Sequence, residues 1–600
     1  MLVCRFFYTA SYLLALVSML ATSAVGEDAS MPRPKSTASD TWVATDELGR
    51  VLPGYRECGP PKANRTVGIF YFLWMERQAK HPVFDITKLR AENPASPKWG
   101  PEGVFHWWDE PHLGYYVSDD EFVIRKHAQL LSDAGVDVIV FDVTNAATYD
   151  ETYLKICKIF TQIRHEGGKT PQIAFLTNSY AAKVVKHLYE TFYTKNLYSD
   201  LWFRWQGKPL LMSSDEGIDA KTREFFTMRR SWAWTDPGGW FGNGKDKWPW
   251  LDYYPQKAGW HERPDKPEAL CVCVAQHPVT NIGRSFHNGK EPSPDQQHPE
   301  QGLCFAEQWT RALEVDPEFV FVTGWNEWIA QRFIVHNRKD PKTLGSNPLG
   351  MGDTFFVDTY SQEYSRDIEP MRGRHGDNYY YQMVANIRRY KGVSAPPKSS
   401  SPKTIAITPD FHQWDDVAPS FTDDLHDTAH RDEPGYGGSG PYINQTGRND
   451  LDLMKVASDA SHVYFYVRTR ESITEPKGTD WMCLLLDVDG KHETGWEGYD
   501  LVINRERPDA DTCLVERSQP GGHWERVGTA HFLKKGRELH LALPRNLLGT
   551  ASGSDPFQID FKWTDNVPGF ANILDFIDKG DVAPNARFNY RYESLLAPKP

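Results

Sequence analysis

Val136-Asp-Val-Ile-Val-Phe-Asp142 decides the fold. It is a short apolar run rich in β-branched residues and ends on a carboxylate, the pattern of a buried strand. A helix is expected just before it. Ser118 is placed to cap that helix, with Glu121 three residues on, and Phe122, Leu130, Leu131 and Ala134 form its apolar stripe up to Gly135. A second helix follows, from about Glu151 to Glu166. Working outward, apolar strands recur at Val67–Trp74, Gln172–Asn178, Pro209–Met212, Ser231–Trp234, Leu270–Ala275 and Phe319–Thr323. Further helices are expected from Ala181 and near Lys221–Thr227, Gln301–Val315 and Asn378–Lys391. Strands alternating with helices imply a parallel sheet covered by helices. About eight strands in this length fit a (β/α)8 TIM-type barrel better than a doubly wound sheet, because no Gly-rich phosphate loop follows any strand.

After residue 404 the texture changes. Short strands at His462–Arg468, Trp481–Asp487, Tyr499–Asn504, Leu539–Leu543 and Phe557–Lys562 lie between turns, the pattern of an all-β sandwich. The fold class expected is therefore α/β, a barrel followed by a sandwich. The boundaries are a signal peptide over 1–26, a loose polar leader over 27–60, the barrel over 61–393, a Pro/Ser linker over 394–404 and the sandwich over 405–600. A chain of 600 residues has room for both domains.

The start of the chain reads as an export signal. Arg5 precedes an apolar run over Tyr8–Ala21, and Ala24-Val-Gly26 has the small-x-small form of a cleavage site. The protein is expected to be secreted or periplasmic. No later segment is long enough to span a membrane. The net charge of -13 argues against nucleic acid or an anionic membrane as the main partner. Cleavage removes Cys4 and leaves an odd number of cysteines, too sparse for a disulfide scaffold. Cys271 and Cys273 read as small core residues. Asn64 and Asn444 each open an N-x-Thr pattern that is glycosylated in eukaryotic secretion.

Barrel chemistry is carried at strand C-terminal ends. Asp142 and Glu327 each follow an apolar strand and form the best carboxylate pair, one to protonate a leaving oxygen and one to activate a nucleophile. Each could instead bind an arginine or a turn. Asp215 and Glu216 are weaker candidates. Aromatic residues make up 13% of the chain and crowd the loops; sugar rings stack on such surfaces. The residues expected to line the sugar sites are Tyr71, Trp74, Asn145, Asn178, Asp252, His277, Trp325, Asn326, Trp328 and Arg332. Arg284, His287 and the stretch Arg374–Asp377 could meet an anionic substituent.

Val67–Trp74, Gly114-Tyr-Tyr116, Ala134–Asp142, Gln206–Leu211 and Trp325-Asn-Glu-Trp328 together resemble the glycoside hydrolase family 71/99-like group over about residues 65–392. The resemblance implies a (β/α)8 barrel and, from family 99, endo action on α-mannosidic bonds. In that family the motif resembles Asn-Glu-Trp-x-Glu. Its first glutamate is a base on the sugar 2-hydroxyl, giving a 1,2-anhydro sugar, and its second is the general acid. Glu327 matches the first, whereas Ala330 stands at the second, so the acid is sought elsewhere and Asp142 is the candidate. Tyr71 falls where the group places a substrate-contacting tyrosine. The last region, through Leu484–Gly490 and Thr494–Asp500, resembles a carbohydrate-binding module of the family 9 type. There Asp487 and Asp489 are candidate ligands for a structural Ca2+, and Trp496 is either a stacking platform or a core plug. No cofactor is expected for catalysis.

These readings converge on a secreted, monomeric glycoside hydrolase, endo-acting on an α-linked polysaccharide or glycan. The rivals are a non-catalytic glycan-binding protein on the same scaffold and a polysaccharide lyase.

Overall fold

The computed structural model describes residues 36–236, 239–276, 280–337, 343–345, 347–519, 522–549 and 556–595. The expected signal peptide lies outside them. Among the described residues, no helix is long and apolar enough to cross a membrane.

The first region is built on a curled sheet. Its strands are β1 (Thr66–Tyr71), β3 (Val138–Val143), β4 (Gln172–Thr177), β5 (Arg204–Trp205), β6 (Lys208–Met212), β7 (Thr227–Arg229), β8 (Gly259–Trp260), β9 (Pro267–Cys273) and β10 (Phe319–Thr323). They run in the order β5-β6-β4-β3-β1-β10-β9-β8, with β7 also on β6, and all pairings are parallel except those of β5 and β8. A separate three-stranded sheet holds β2 (Phe105–Trp107), β11 (Ile329–Ile334) and β12 (Thr354–Phe356).

Alternation along the strands separates two cores. Phe70, Phe72, Val138, Val140, Leu176, Phe319 and Phe321 belong to an inner cluster. Ile69, Tyr71, Ile139, Phe141, Val320 and Val322 belong to the cluster that includes the helices. Those helices are α1 (Ile86–Glu92), α2 (Glu121–Asp133), α3 (Asp150–His165), α4 (Ala181–Leu188), α5 (Ala220–Phe225), α6 (Leu303–Val315) and α7 (Asn378–Lys391). The cap of α2 differs from expectation. Asp120, not Ser118, accepts the backbone N–H groups of Phe122 (3.0 Å) and Val123 (3.3 Å).

The strand expected at Ser231–Trp234 is not a regular one. The gap between β7 and β8 is crossed by single parallel bridges, Arg230 to Lys247, Ala233 to Leu251 and Lys245 to Trp260. Trp248 and Trp250 N–H donate to the Arg230 and Trp232 carbonyls at 2.9 and 3.2 Å, and the register then shifts by one residue before Ala233 meets Leu251, so no regular ladder forms. The sheet therefore curls around its inner core, and its seam is stitched rather than laddered.

Beside a separate two-stranded pair, Arg431–Glu433 with Tyr442–Asn444, the last region is built on an eleven-stranded antiparallel sheet that nearly closes on itself, between a sandwich and a barrel in form. Its strands are β13 (Ser420–Thr422), β14 (Leu451–Ser458), β15 (His462–Thr469), β16 (Cys483–Asp487), β17 (Leu501–Ile503), β18 (Thr512–Gln519), β19 (His523–Lys535), β20 (Glu538–Pro544), β21 (Gln558–Asp565), β22 (Asp581–Ala583) and β23 (Tyr590–Glu593). The order is β13-β14-β15-β20-β19-β18-β17-β16-β21-β22, with β23 also on β21. The two ends nearly meet. Leu451 N–H donates to Asp581 Oδ2 at 2.6 Å, and Tyr590 Oη donates to the Thr422 carbonyl at 3.0 Å.

The polar leader is not loose over its described part. Trp42 is 2% exposed and packs on Phe588 and Tyr590, and Val43 bridges Asn589. A single apolar anchor with a backbone pairing is enough to hold a polar segment down. The Pro/Ser linker also docks, through Ser399 Oγ to the Glu593 carbonyl and Lys403 N–H to the Ser458 carbonyl.

Candidate active site

Strand alternation places the best carboxylate pair. Val138 and Val140 face the inner core, so Asp142 does too, at the C-terminal end of β3. It is 5% exposed. Its Oδ1 accepts the Thr144 N–H at 2.9 Å, and no described residue bonds Oδ2. Burial pushes its carboxyl up to about 6, against the Thr144 hydrogen bonds; Asp358 adds to the rise and Arg366 opposes it.

Glu327 follows β10 and is 2% exposed. Arg366 clamps it: both Nε (3.1 Å) and a terminal guanidinium nitrogen donate to Oε2, leaving Oε1 without a bond from the described residues. Burial pushes the Glu327 carboxyl well up, and the Arg366 charge pulls against it. Asp358, Asp367 and Asp142 each add to the rise, so the four carboxylates share one field around Arg366. Asp358 lies 3.4 Å from the guanidinium and its side chain is 36% exposed, which makes it the most open group of the set. Arg366 also lies 5.6 Å over the ring of Trp250, an inner-core residue.

The flanks of Glu327 are held rigidly. Asn326 Oδ1 accepts the Phe72 N–H at 2.9 Å, and its Nδ2 donates to the Phe72 carbonyl at 3.2 Å, tying this loop to β1. Trp328 stacks on Trp108 at 4.7 Å and donates from Nε1 to Glu369 Oε2 at 2.6 Å. The Glu327 N–H donates to Asp367, whose other oxygen accepts from Trp108 Nε1 at 2.6 Å. Burial pushes the Asp367 carboxyl up to about 7.

Several expected sugar contacts prove to be part of this scaffold. Tyr71 has the opposite parity to Phe70 and Phe72, so it faces the helices. Its Oη bonds His127 Nδ1 at 2.9 Å, and His127 Nε2 bonds Glu369 Oε1 at 3.0 Å. Trp325 packs edge-on against His127 and Tyr380 in the same outer layer. Asn326 and Trp328 are buried clamps, as described above. Asp252 is buried and accepts from Thr235 Oγ1 and from the Thr235 and Lys257 N–H groups. Arg332 ties Thr354 Oγ1 to the Gly100 carbonyl. These residues were candidates because they are polar or aromatic at strand ends. Neighbouring side chains and loop backbone take up most of those groups instead.

Other expected contacts stay near the opening. Trp74 is half-buried and stacks on Phe72 at 5.5 Å. Asn145 and Asn178 are exposed. Asn178 lines an open cleft of about 450 Å³ with Thr177, Arg230, Trp232, Trp234 and Trp240. Val143 pairs with Thr177, so the cleft begins one strand from Asp142. His277 lies outside the described residues. Asp215 and Glu216 are exposed on the surface, and Arg284 is buried against Ser365 and the Asp367 carbonyl. Sequence reading missed Asp358, Arg366 and Asp367. They lie in an irregular stretch with no strand period to flag them. The one available signal was Ser365-Arg-Asp-Ile-Glu369, alternating charges in an otherwise aromatic segment.

In the last region Asp487, Asp489 and Asp500 lie close together. Asp487 Oδ1 accepts the N–H groups of Asp489 and Gly490, and Asp489 Oδ1 accepts the Lys491 N–H and the Thr494 hydroxyl. Trp496 packs against Tyr499, Phe570 and Phe576. Asn444 is buried, and its Nδ2 donates to the Asp578 carbonyl, so its side chain is already committed. Asn64 is exposed.

No protein-family model matches the chain, and no curated protein matches it significantly. Among solved structures, it is similar to an endo-α-mannosidase of glycoside hydrolase family 99 from Bacteroides thetaiotaomicron, in complex with bis-tris-propane. The identity is 13%, covering 55% of this chain and 98% of that one, with a TM-score of 0.30. A second structure of that enzyme gives 12% identity, 55% and 98% coverage, and a TM-score of 0.31. A glycoside hydrolase-like protein gives 11% identity, 56% and 96% coverage, and a TM-score of 0.30.

Proposed function

We propose that the protein is a glycoside hydrolase whose first region is a (β/α)8-type catalytic domain, acting within α-linked glycan chains. The observation that carries this reading is the meeting of Asp142 and Glu327 in one field around Arg366, beside a cleft lined by tryptophans. Each carboxylate keeps an oxygen that no described residue bonds. Glycosidic cleavage needs an acid and a base at one opening, and two carboxyl groups in one field can supply them. Asp142 has no direct cationic partner and is raised to about 6, so it holds a proton in mildly acid solution and can donate it to a leaving oxygen. Burial holds Glu327 well above the ordinary carboxylate range, with the Arg366 charge opposing the rise. Its base or nucleophile role rests on position and not on charge state: it follows β10 and keeps Oε1 free of the described residues while Arg366 holds Oε2. Trp232, Trp234 and Trp240 offer flat faces for sugar rings.

The test is a panel of α-linked polysaccharides assayed for new reducing ends. Wild type is expected to release them from one polymer, and Glu327→Gln to lower the rate by about 10²–10⁴-fold. The kcat/KM of the wild type is expected to fall as pH rises through about 6, where Asp142 loses its proton. Ultraviolet-absorbing unsaturated ends would indicate a lyase instead. Full activity in Glu327→Gln would sink the assignment of the carboxylates.

A further inference from the structure

We propose that Asp423, Asp427 and Asp581 bind one Ca2+ where the last region meets the helices of the first. Their nearest carboxylate oxygens all lie within 4.8 Å of one another. That spacing spans a sphere of Ca–O bonds of about 2.3–2.6 Å. Asp423 and Asp427 come from the chain just after β13, and Asp581 opens β22, so the three converge at the place where the antiparallel sheet nearly closes.

The second observation is independent of the clustering. Asp423 is 0% exposed, and among the described residues neither of its carboxylate oxygens has a hydrogen-bond partner. Asp581 is 3% exposed, and its Oδ1 is likewise unpartnered, as is Oδ1 of Asp427. Three buried carboxylates elsewhere in this protein are met by arginine: Asp120 by Arg431, Asp377 by Arg587 and Asp565 by Arg448. Here the nearby cation Lys562 spends its hydrogen bond on the Pro584 carbonyl. An unpaired buried carboxylate is among the costliest groups a fold can hold. A divalent cation placed among the free oxygens removes that cost.

The surroundings orient ligands in the manner of an outer shell. Leu451 N–H holds Asp581 Oδ2, leaving Oδ1 free. Gln129 of α2 donates to Asp427 Oδ2 and to Asn585 Oδ1, both at 2.8 Å, again leaving an Asp427 oxygen free. Three carboxylates with no nitrogen or sulfur donor suit a hard cation, and their irregular placement suits Ca2+ over Mg2+. Because Gln129 belongs to the first region, the ion would brace the two regions together. The trio Asp487, Asp489 and Asp500 differs, since only Asp500 is buried and a turn N–H already holds one oxygen of each carboxylate, with none left wholly unpartnered as Asp423 is.

The test uses the full chain, stripped with EGTA and dialysed against CaCl2 or MgCl2. Bound metal is measured by mass spectrometry and stability by thermal melting. Wild type is expected to retain one Ca2+ that Asp423→Asn and Asp427→Asn lose, and to melt several degrees lower in EGTA. Asp423→Asn is expected to melt at one temperature with or without Ca2+, and in EGTA at or above wild type, because a repelling charge is gone. Asp427→Asn, at a half-buried position, tests the site if Asp423→Asn fails to fold. Asp489→Asn should keep the wild-type response. The proposal is overturned if wild type holds no Ca2+ and ignores EGTA, as it would if protons alone relieved the repulsion. A response that survives in Asp423→Asn or Asp427→Asn and disappears in Asp489→Asn overturns it equally.

Discussion

At the scale of single residues, the candidate site trades stability for chemistry. Asp142 is held at about 6 against an ordinary value of 3.8. A carboxyl raised in the folded state binds its proton more tightly there than in the unfolded chain. It is therefore neutral for stability below 3.8 and costs more as pH rises through about 6, reaching roughly 3 kcal/mol above pH 7. Asp142→Asn removes that cost. The variant should lose activity while its urea midpoint exceeds that of wild type at pH 7.5, with the gap closing near pH 4. A gap independent of pH would contradict the assignment. Asp142 and Glu327 could be singled out because one ends an apolar strand and the other follows one. The direction of Tyr71 was not legible because the extent of β1 alone does not say which parity faces inward; Phe70 and Phe72 fill the inner core, so Tyr71 faces the helices. Arg366 left no strand signal, since its position depends on a loop that folds back over Trp250.

At the scale of elements, regular strands and helices could be read from their periods, and the seam could not. β10 and α7 have the bounds the sequence suggests, Phe319–Thr323 and Asn378–Lys391, because each is a long run of one period. The segment from Arg230 to Trp260 has no period, since Pro249 and several glycines interrupt it. Its pairing rests on close backbone approach. Gly259 lies where a Cβ would sit 1.6 Å from the Lys247 carbonyl oxygen. Trp260 N–H meets the Gly244 carbonyl at 3.0 Å, and Asp246 N–H meets the Trp260 carbonyl at 2.7 Å. Gly259→Ala must push this strip away from β8. The expected cost is about 1–3 kcal/mol, seen as a lower melting temperature, together with reduced activity because Trp250 and the cleft tryptophans lie on the same strip. Gly54→Ala, in open space, is the neutral control. Equal melting of the two variants would mean that the seam yields freely.

At the scale of the whole molecule, the Pro/Ser stretch suggested a linker between a catalytic region and a separate module, and the contacts across it argue for one cooperative unit. Loose domains share small polar interfaces and move relative to each other. Here buried ion pairs cross the boundary. Arg431 donates to Asp120 at 2.8 Å, so the residue that caps α2 also binds the last region. Arg587 grips Asp377 through two bonds, at 2.9 and 3.1 Å, and reaches Glu497 at 3.0 Å. Trp42, from the leader, packs on Phe588 and Tyr590 of the last region. Composition could not reveal this, because interface arginines look like surface arginines until their partners are known. The consequence is measurable by calorimetry. The intact chain is expected to unfold in one transition, with calorimetric and van't Hoff enthalpies that agree. Arg587→Met strands the Asp377 carboxylate, and it should lower the stability of that single transition by about 3–5 kcal/mol. Two separate transitions in wild type, with Arg587→Met moving only the one that belongs to the last region, would instead restore the picture of a tethered module.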